Sequence, residues 1–472
     1  MRDRVPCDST KFEQAIAYLE RRVNYENFQN LPYQELAGRL ERLRELLVEQ
    51  ESPEKRFLTV HIAGTKGKGS TCAMLKSILR QAGHRVGVFS SPHLYSPLER
   101  FAVDGESCDA EEFGELMLSL RNRIAAWEKN GNFTYFELTT LFAFEYFARK
   151  KVDVTILEVG LGGRWDATNV CSPTVTVITN ISFDHVEQLG PTLEAIAGEK
   201  AGILKPGVPL VAGPESEDAQ RVIRRKAEVV GAPFFFLGED FSFVPEQGSA
   251  KSKFQFLPLV SPKTPFREIG SLTLKLPGEH QRNNATLAIA VAQLLRSRLK
   301  IPAPAIRSGL AKAFLPIRVE RFRPSSGSPT FVVDGAHNQA SVSALVQTLK
   351  SLRPFRRKYL IFGTSLDKNV EEMFAELLPF FDRIILTQHS SSPRRFPPQE
   401  LQENLRASDK SQVEVEENAV QALIKCWNAA KRDDLVCVCG SMYLASELRR
   451  FFIESIAGRV PVDAESVDTP RR

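Results

Sequence analysis

The sequence predicts an α/β protein of two domains, and three observations carry that reading. Short apolar runs alternate with helical patterns along most of the 472 residues, which is how parallel strands joined by crossover helices are written. The length exceeds what one hydrophobic core usually serves. A proline-marked stretch, IPAPAI, separates two such alternations, so the boundary is expected at residues 299 and 300.

The elements follow in order. A charged helical lead-in, ELAGRLERLRELLVEQ, precedes the strand FLTVHIAG, the helix STCAMLKSILRQAG and the strand RVGVFSS. Asp109 with Glu112 three residues on has the form of a capping box, opening the helix DAEEFGELMLSLRNRIAAW. FELTTLFAFEYFARK is helical, and VDVTILEVG and TVTVITNI are apolar enough to be buried strands. Between about Pro233 and Pro277 the runs PFFFLG, KFQFLPLV and SLTLKL predict a small antiparallel appendage on the first domain. The helix RNNATLAIAVAQLLRSRL then closes that domain, residues 1–299. TFVVDGA, SVSALVQTLKSLR, RKYLIFG, RIILTQH, QVEVEEN, AVQALIKCW and LVCVCGS form a second alternation, a smaller Rossmann-like α/β domain over 300–460. Residues 461–472 are expected to be a disordered tail.

Composition narrows the function. With 62 basic and 57 acidic residues the net charge is +5, spread along the chain; this favours small anionic ligands over nucleic acid. The seven cysteines are scattered without C-x-x-C spacing, which points to a reducing cytoplasm rather than to zinc or disulfides. No apolar run reaches 18 residues and no signal-peptide core is present, so no membrane association is expected. No heptad or long amphipathic seam calls for an oligomer, and a monomer is expected.

The stretch GTKGKGS, Gly64 to Ser70, follows a buried strand and opens a helix. Glycines there let backbone N–H groups converge on an anion, and the helix N-terminus adds partial positive charge. Gly64, Thr65, Gly67, Lys68, Gly69 and Ser70 are the candidate nucleotide contacts, with Lys68 placed to reach the outer phosphates. The spacing is not the common G-x-x-x-x-G-K-[ST]. A solvated strand-to-helix turn is the alternative. Glu158 is a second signal, an ionisable residue in an otherwise apolar strand; such a carboxylate must meet a cation, either a metal or an arginine such as Arg164.

The order and content of these stretches resemble the folylpolyglutamate and dihydrofolate synthases of the Mur ligase superfamily. The resemblance rests on GTKGKGS, SSPHL, TYFELTTLFAFEYF, LEVGLGGRWDATN, ITNISFDHVEQLGPTLEAIAGEKAGILKPGVP, VDGAHN and FGTSLDKN, and covers nearly the whole chain. It makes the first domain a P-loop nucleotide-binding domain with a mostly parallel sheet. It also implies that Ser91, Glu158 and His185 hold Mg²⁺, and that Lys200 is carbamylated by CO₂ to hold a second Mg²⁺. By the residues alone, His185 reads as a structural hydrogen-bonding residue and Lys200 as a surface lysine.

The same resemblance implies ATP contacts from Asn284, Arg318, Asp334 and His337, and contacts to a pterin-bearing substrate from Thr134, Tyr135, Phe136 and Glu137. For the two aromatics the other reading is an apolar helix face. The family usually has glycine where this chain has Ile317, and asparagine where it has Lys66. The implied reaction joins a carboxylate to the amine of L-glutamate through an acyl phosphate, with ATP as co-substrate and Lys68, His185 and Lys200 as catalytic residues. The acceptor is dihydropteroate, a reduced folate, or both; a nucleotide-dependent regulatory module is the alternative from another class.

Overall fold

The computed structural model describes residues 10–25, 37–246, 252–259, 264–366, 368–390, 395–406 and 409–456. The expected disordered tail lies outside these residues. The chain divides into one unit of Met1–Lys275 with Gln281–Ala313, and a second of Leu276–His280 with Phe314–Arg472.

The first unit is built on β1 (Leu58–Ala63), β2 (Val86–Phe89), β3 (Phe101–Val103), β4 (Glu106–Ser107), β5 (Val154–Glu158), β6 (Val175–Ile178), β7 (Leu210–Ala212) and β8 (Phe234–Phe236). They form one sheet in the order β4-β3-β2-β5-β1-β6-β7-β8. All neighbours from β2 to β8 in that order run parallel, while β3 and β4 form an antiparallel edge. β5, β6 and β7 are buried along their whole length, as strands covered by helices on both faces must be. The order reverses around β1, so the carboxyl ends of β1, β5 and β6 lie together, the place where open α/β sheets bind ligands.

Helices predicted from apolar spacing are present at Ala37–Glu49, Lys68–Gln81, Ala110–Ile124, Tyr135–Arg149 and Glu279–Leu294. An aromatic cluster packs helices against the β3 edge: the Phe142 ring lies 4.6 Å from Phe101 and 4.8 Å from Phe113. The expected capping box at Asp109 is only half formed. Asp109 accepts from the Glu111 and Glu112 amides, but the Glu112 carboxylate pairs with Lys150 at 2.6 Å. A tertiary cation outcompetes the local amide. Complete capping boxes open the helices Lys11–Glu20 and Tyr135–Arg149 instead.

Two other expectations are corrected. PFFFLG is β8, paired parallel with β7, and not part of the appendage. The antiparallel sheet consists of β9 (Phe241–Pro245), β10 (Lys253–Pro258) and β11 (Ile269–Thr273), in the order β11-β10-β9. A three-phenylalanine run signals a strand but does not name its partner. The boundary also moves: the first unit continues past residue 299 to Ala313, because the helix Ala303–Lys312 packs on Lys68–Gln81. Ser77 Oγ donates to the Gly309 carbonyl at 2.7 Å, and a Cβ at Gly309 would stand 2.5 Å from Ile78 Cα.

The second unit carries β12 (Glu320–Phe322), β13 (Thr330–Val333), β14 (Lys358–Phe362), β15 (Arg383–Gln388), β16 (Val413–Asn418) and β17 (Leu435–Cys439), in the order β12-β13-β17-β14-β15-β16. All are parallel except β12, which pairs antiparallel with β13. Every strand read from the second alternation is found; β12, a three-residue edge, was not read. The six cysteines among the described residues are free and buried. No described helix is long and apolar enough to cross a membrane.

Candidate active site

The loop Gly64–Ser70 joins β1 to the helix Lys68–Gln81 at the carboxyl edge of the first sheet. Gly64 has φ 148° and Gly67 φ 85°, conformations glycine adopts without strain. The space matters as much. A Cβ at Gly64 would overlap Thr179 Oγ1, and one at Gly67 would overlap Asn284 Oδ1. The loop is tied to the end of β6 as well. The Thr65 amide donates to the Asn180 carbonyl at 2.8 Å, and Thr179 Oγ1 donates to the Lys66 carbonyl at 2.6 Å. Lys68 Nζ curls back to the Gly64 carbonyl at 3.0 Å, bringing its charge over the cradle. Gly69 and Ser70 fall in the first helical turn, whose free N–H groups and dipole favour an anion.

Glu158 ends β5 beside β1, in register with Ile62, and is 6% exposed. In the neighbouring β2, Phe89 pairs with Leu157, so Ser91 and Glu158 emerge from adjacent strand ends. Arg164 is engaged elsewhere, 3.5 Å from Glu199 and bonded to the Gly198 carbonyl at 3.2 Å. His185 takes a left-handed backbone, φ 51°, before the short helix Val186–Leu189. Partial burial lowers its pKa, Asp184 opposes that, and the lysines 200, 68 and 66 push the same way as burial.

Lys200 is not a surface lysine. It ends the helix Leu193–Lys200 and is 5% exposed. Burial, then the charge of Lys68, lowers its pKa to about 7, against the opposing pull of Asp184. The shift is toward the neutral amine, the form that attacks CO₂. The glycines of LEVGLGGR pack tightly here: a Cβ at Gly163 would stand 3.0 Å from the carbonyl oxygens of Glu199 and Lys200.

Two residues not singled out in the sequence hold this edge together. Asp184 Oδ2 accepts from Lys66 Nζ at 2.8 Å, which accounts for the unusual lysine in the loop. Asp166 is fully buried and accepts from the Gly160 and Leu161 amides at 3.0 and 3.1 Å and from the Thr168 amide at 3.0 Å. Its only sequence signal was an acid in WDATN just after the glycine run.

Thr134 is the N-cap of Tyr135–Arg149. Glu137 completes the box, accepting from the Thr134 amide at 2.7 Å, and takes a two-pronged ion pair from Arg39 at 2.7 and 2.9 Å. Those oxygens are committed to structure. Tyr135 is buried beside Arg100, whose guanidinium lies 5.2 Å from its ring centroid. Phe136 is partly exposed and packs on Gly160, where a Cβ would meet its Cζ at 2.8 Å.

Asn284 lies in Glu279–Leu294, against Gly67, with Nδ2 bonded to Gln281 at 3.1 Å. The other expected nucleotide residues belong to the second unit. Asp334, 7% exposed, accepts from the Val319 amide at 2.7 Å and from the Ala336 amide at 2.8 Å; burial raises its pKa. His337 Nδ1 lies 2.7 Å from the Gly335 carbonyl. Arg318 sits between Ile317 and Val319, both at φ 49°. A β-branched residue there is strained, at about 1–3 kcal/mol each. The isoleucine that replaces the usual glycine has kept the glycine-like backbone.

Sequence patterns now decide the family. That of the Mur ligase middle domain matches residues 62–292, and that of the Mur ligase glutamate ligase domain matches 317–442. The dihydrofolate synthase/folylpolyglutamate synthase of Bacillus subtilis is 36% identical over 420 residues, 87% of this chain and 94% of that protein. The chain belongs to the Mur ligase superfamily, in its dihydrofolate synthase/folylpolyglutamate synthase branch. It is an ATP-dependent C–N ligase of folate metabolism that adds glutamate. Solved structures agree. Mycobacterium tuberculosis folylpolyglutamate synthase complexed with ADP gives a TM-score of 0.81 at 30% identity, covering 96% of this chain and 99% of that one. Escherichia coli FolC in complex with DHPP and ADP gives 0.77 at 30% identity, covering 95% and 99%.

The donor set suits a magnesium ion. Among the described residues no three His, Cys, Asp or Glu side chains gather as a metal cluster. Mg²⁺ asks for less: one or two oxygen side chains, with water and phosphate oxygens filling the rest. Ser91 and the buried Glu158 offer such oxygens beside the phosphate loop.

Proposed function

We propose that this ligase uses both dihydropteroate and reduced folates as glutamate acceptors. The observation that carries the dual reading is the similarity over most of the chain to proteins named for both activities; the contact of Phe136 with Gly160 supports where the acceptor lies. Thr134–Glu137 is the segment read as meeting the pterin-bearing acid, and Gly160 lies two residues beyond Glu158, the carboxylate read as meeting the metal. Acceptor and phosphate therefore approach the same strand ends. The resemblance to FolC in complex with DHPP and ADP supports the same reading.

In this reading ATP lies on Gly64, Thr65, Gly67, Lys68, Gly69, Ser70 and Asn284 of the first unit; the family resemblance assigns Arg318, Asp334 and His337 of the second unit to the nucleotide as well. The acceptor carboxylate attacks the γ-phosphorus, the bond to the β,γ-bridging oxygen breaks, and ADP leaves. The glutamate amine then attacks the acyl phosphate carbonyl, phosphate departs, and the amine proton passes to water. Lys68 neutralises charge on the outer phosphates, and the loop amides fix the chain in line. Ser91, Glu158 and His185 would hold Mg²⁺, and carbamylated Lys200 a second ion; bound metal supplies charge neutralisation at the β- and γ-oxygens. Phe136 and Tyr135 furnish an apolar wall, while Thr134 and Glu137 keep it in place. We read the protein as a cytoplasmic monomer.

The deciding assay offers the purified enzyme ATP, Mg²⁺ and L-glutamate with dihydropteroate or with a reduced folate, and identifies products by mass. Product from both acceptors is expected. Product from the folate alone overturns the dual reading and leaves a polyglutamylase. For Lys200, ¹³C-labelled bicarbonate is expected to give a carbamate resonance that is missing from Lys200→Ala; an identical resonance in that variant rules the carbamate out.

A further inference from the structure

The loop that carries Arg318 is bent against its own preference, and the second unit contains a buried device that bends it. Ile317 and Val319 flank Arg318 in left-handed backbone, and the two residues are 1% and 6% exposed. Such a backbone persists only where its surroundings over-determine it. The bonds that do so are specific. The Ile317 amide donates to Glu320 Oε2 at 2.9 Å, the Gly335 amide donates to the Ile317 carbonyl at 3.0 Å, and the Val319 amide donates to Asp334. The Arg318 guanidinium is drawn back to the Ile317 carbonyl at 2.9 Å.

Glu320 is the member that needs help. Its side chain is 7% exposed, and a buried carboxylate without a cation is costly. The cation comes from far along the chain. Arg449, itself 8% exposed on the helix Met442–Ile456, donates through Nε to the same Oε2 at 2.7 Å. One oxygen thus receives the loop amide and the arginine together. β12 pairing with β13, Glu320 opposite Val333, places that carboxylate one residue from Asp334 across the strands. The two acids grip the amides on either side of Arg318.

We propose that Arg449, acting through Glu320, is a positioning residue for Arg318 and so sets the affinity for the nucleotide. This rests on the reading of Arg318 as an ATP contact. Arg449 touches no reacting atom in this account; it fixes the direction in which the Arg318 side chain leaves the backbone. Charge-assisted hydrogen bonds of this kind are short, directional and roughly twice as strong as neutral ones, which suits them to holding a strained turn.

The test is a KM-against-kcat measurement on four forms of the full-length enzyme: wild type, Arg449→Met, Arg318→Ala and the double variant, each assayed well below its melting temperature. Arg449→Met is expected to raise the KM for ATP about tenfold, a loss of about 1.4 kcal/mol in ATP use, with kcat and the KM for glutamate within about twofold. In the Arg318→Ala background the same change is expected to add nothing. A lower melting temperature with an unchanged KM for ATP overturns the proposal and leaves Arg449 a packing residue. An equal effect of Arg449→Met in both backgrounds also overturns it, since the arginine would then act elsewhere. If Arg318→Ala leaves the KM for ATP untouched, the nucleotide role of Arg318 fails and the proposal falls with it, an outcome the single variants distinguish. Should Arg449→Met not fold, Glu320→Gln carries the same comparison, with an increase of about threefold expected and the same readings applied.

Discussion

Lys66 donates to Asp184 at 2.8 Å, linking the phosphate loop to the residue before His185. Each side chain is about one third exposed, 33% and 29%. The lysine that departs from the usual asparagine is therefore a tether between two loops, and its charge is shared with an acid before any phosphate arrives.

Lys66→Ala should cost little stability, about 0–1 kcal/mol, because a part-exposed pair is screened by solvent. The larger effect is expected in catalysis. With Lys66 gone, Asp184 loses one of the cations around it while the loop loses its tether, and the KM for ATP should rise about three- to tenfold. Steady-state kinetics at several ATP concentrations, beside a thermal melt, separate the two effects.

Gly67→Ala tests the cradle. The residue has φ 85° and a Cβ would overlap Asn284 Oδ1, so the change both strains the backbone and displaces a side chain read as a nucleotide contact. A stability loss of about 1–2 kcal/mol is expected, with ADP binding weakened by at least tenfold. Calorimetric titration with ADP reads the second quantity directly.

Glu137 distinguishes structure from recognition. Its oxygens serve the Thr134 amide and Arg39, so Glu137→Ala removes half of the capping box and takes from Arg39 its carboxylate, leaving it the Asn132 carbonyl. The expected loss is about 1–3 kcal/mol, measured by chemical denaturation. Arg39→Met should reproduce much of it. A variant with unchanged stability and a raised KM for the acceptor would instead make Glu137 a substrate contact.

His61 gives the molecule an acid limit. The ring is fully buried in β1 with Nε2 2.8 Å from Thr168 Oγ1, and burial followed by the charge of Lys205 lowers its pKa to about 3. Well above pH 6.5 the ring is neutral in both folded and unfolded chains and contributes no pH dependence. Below that, the unfolded chain takes a proton that the folded chain refuses, so stability is lost as pH falls toward 3. Between pH 7 and pH 5 this group should remove about 2 kcal/mol. His61→Gln, which keeps a hydrogen-bonding group, is expected to shrink that part of the pH dependence in denaturation measured at the two pH values.

The strands and helices of both units were legible because each has a strong period of its own. FLTVHIAG, VDVTILEVG and the second alternation could hardly be anything but buried strands. The phosphate loop was legible for a different reason: glycines at fixed offsets between a strand and a helix carry meaning without knowing what surrounds them. Where partners lie far apart in sequence, the pattern fell silent. PFFFLG showed a strand but not that β7 is its neighbour, and Asp109 with Glu112 showed a cap but not that Lys150 would claim the glutamate.

What the sequence determined by itself, then, was the alternation of elements, the anion cradle at Gly64–Ser70 and the family that its motifs mark. Tertiary structure alone decided the environment of each charged group. Lys200 reads as an ordinary helical lysine until the fold buries it beside Lys68, Lys66 reads as a surplus charge until Asp184 meets it, and Ile317 reads as a lost glycine until Glu320 and Arg449 hold its backbone. Charge and burial are properties of what surrounds a residue in space, and a local pattern does not contain its distant neighbours.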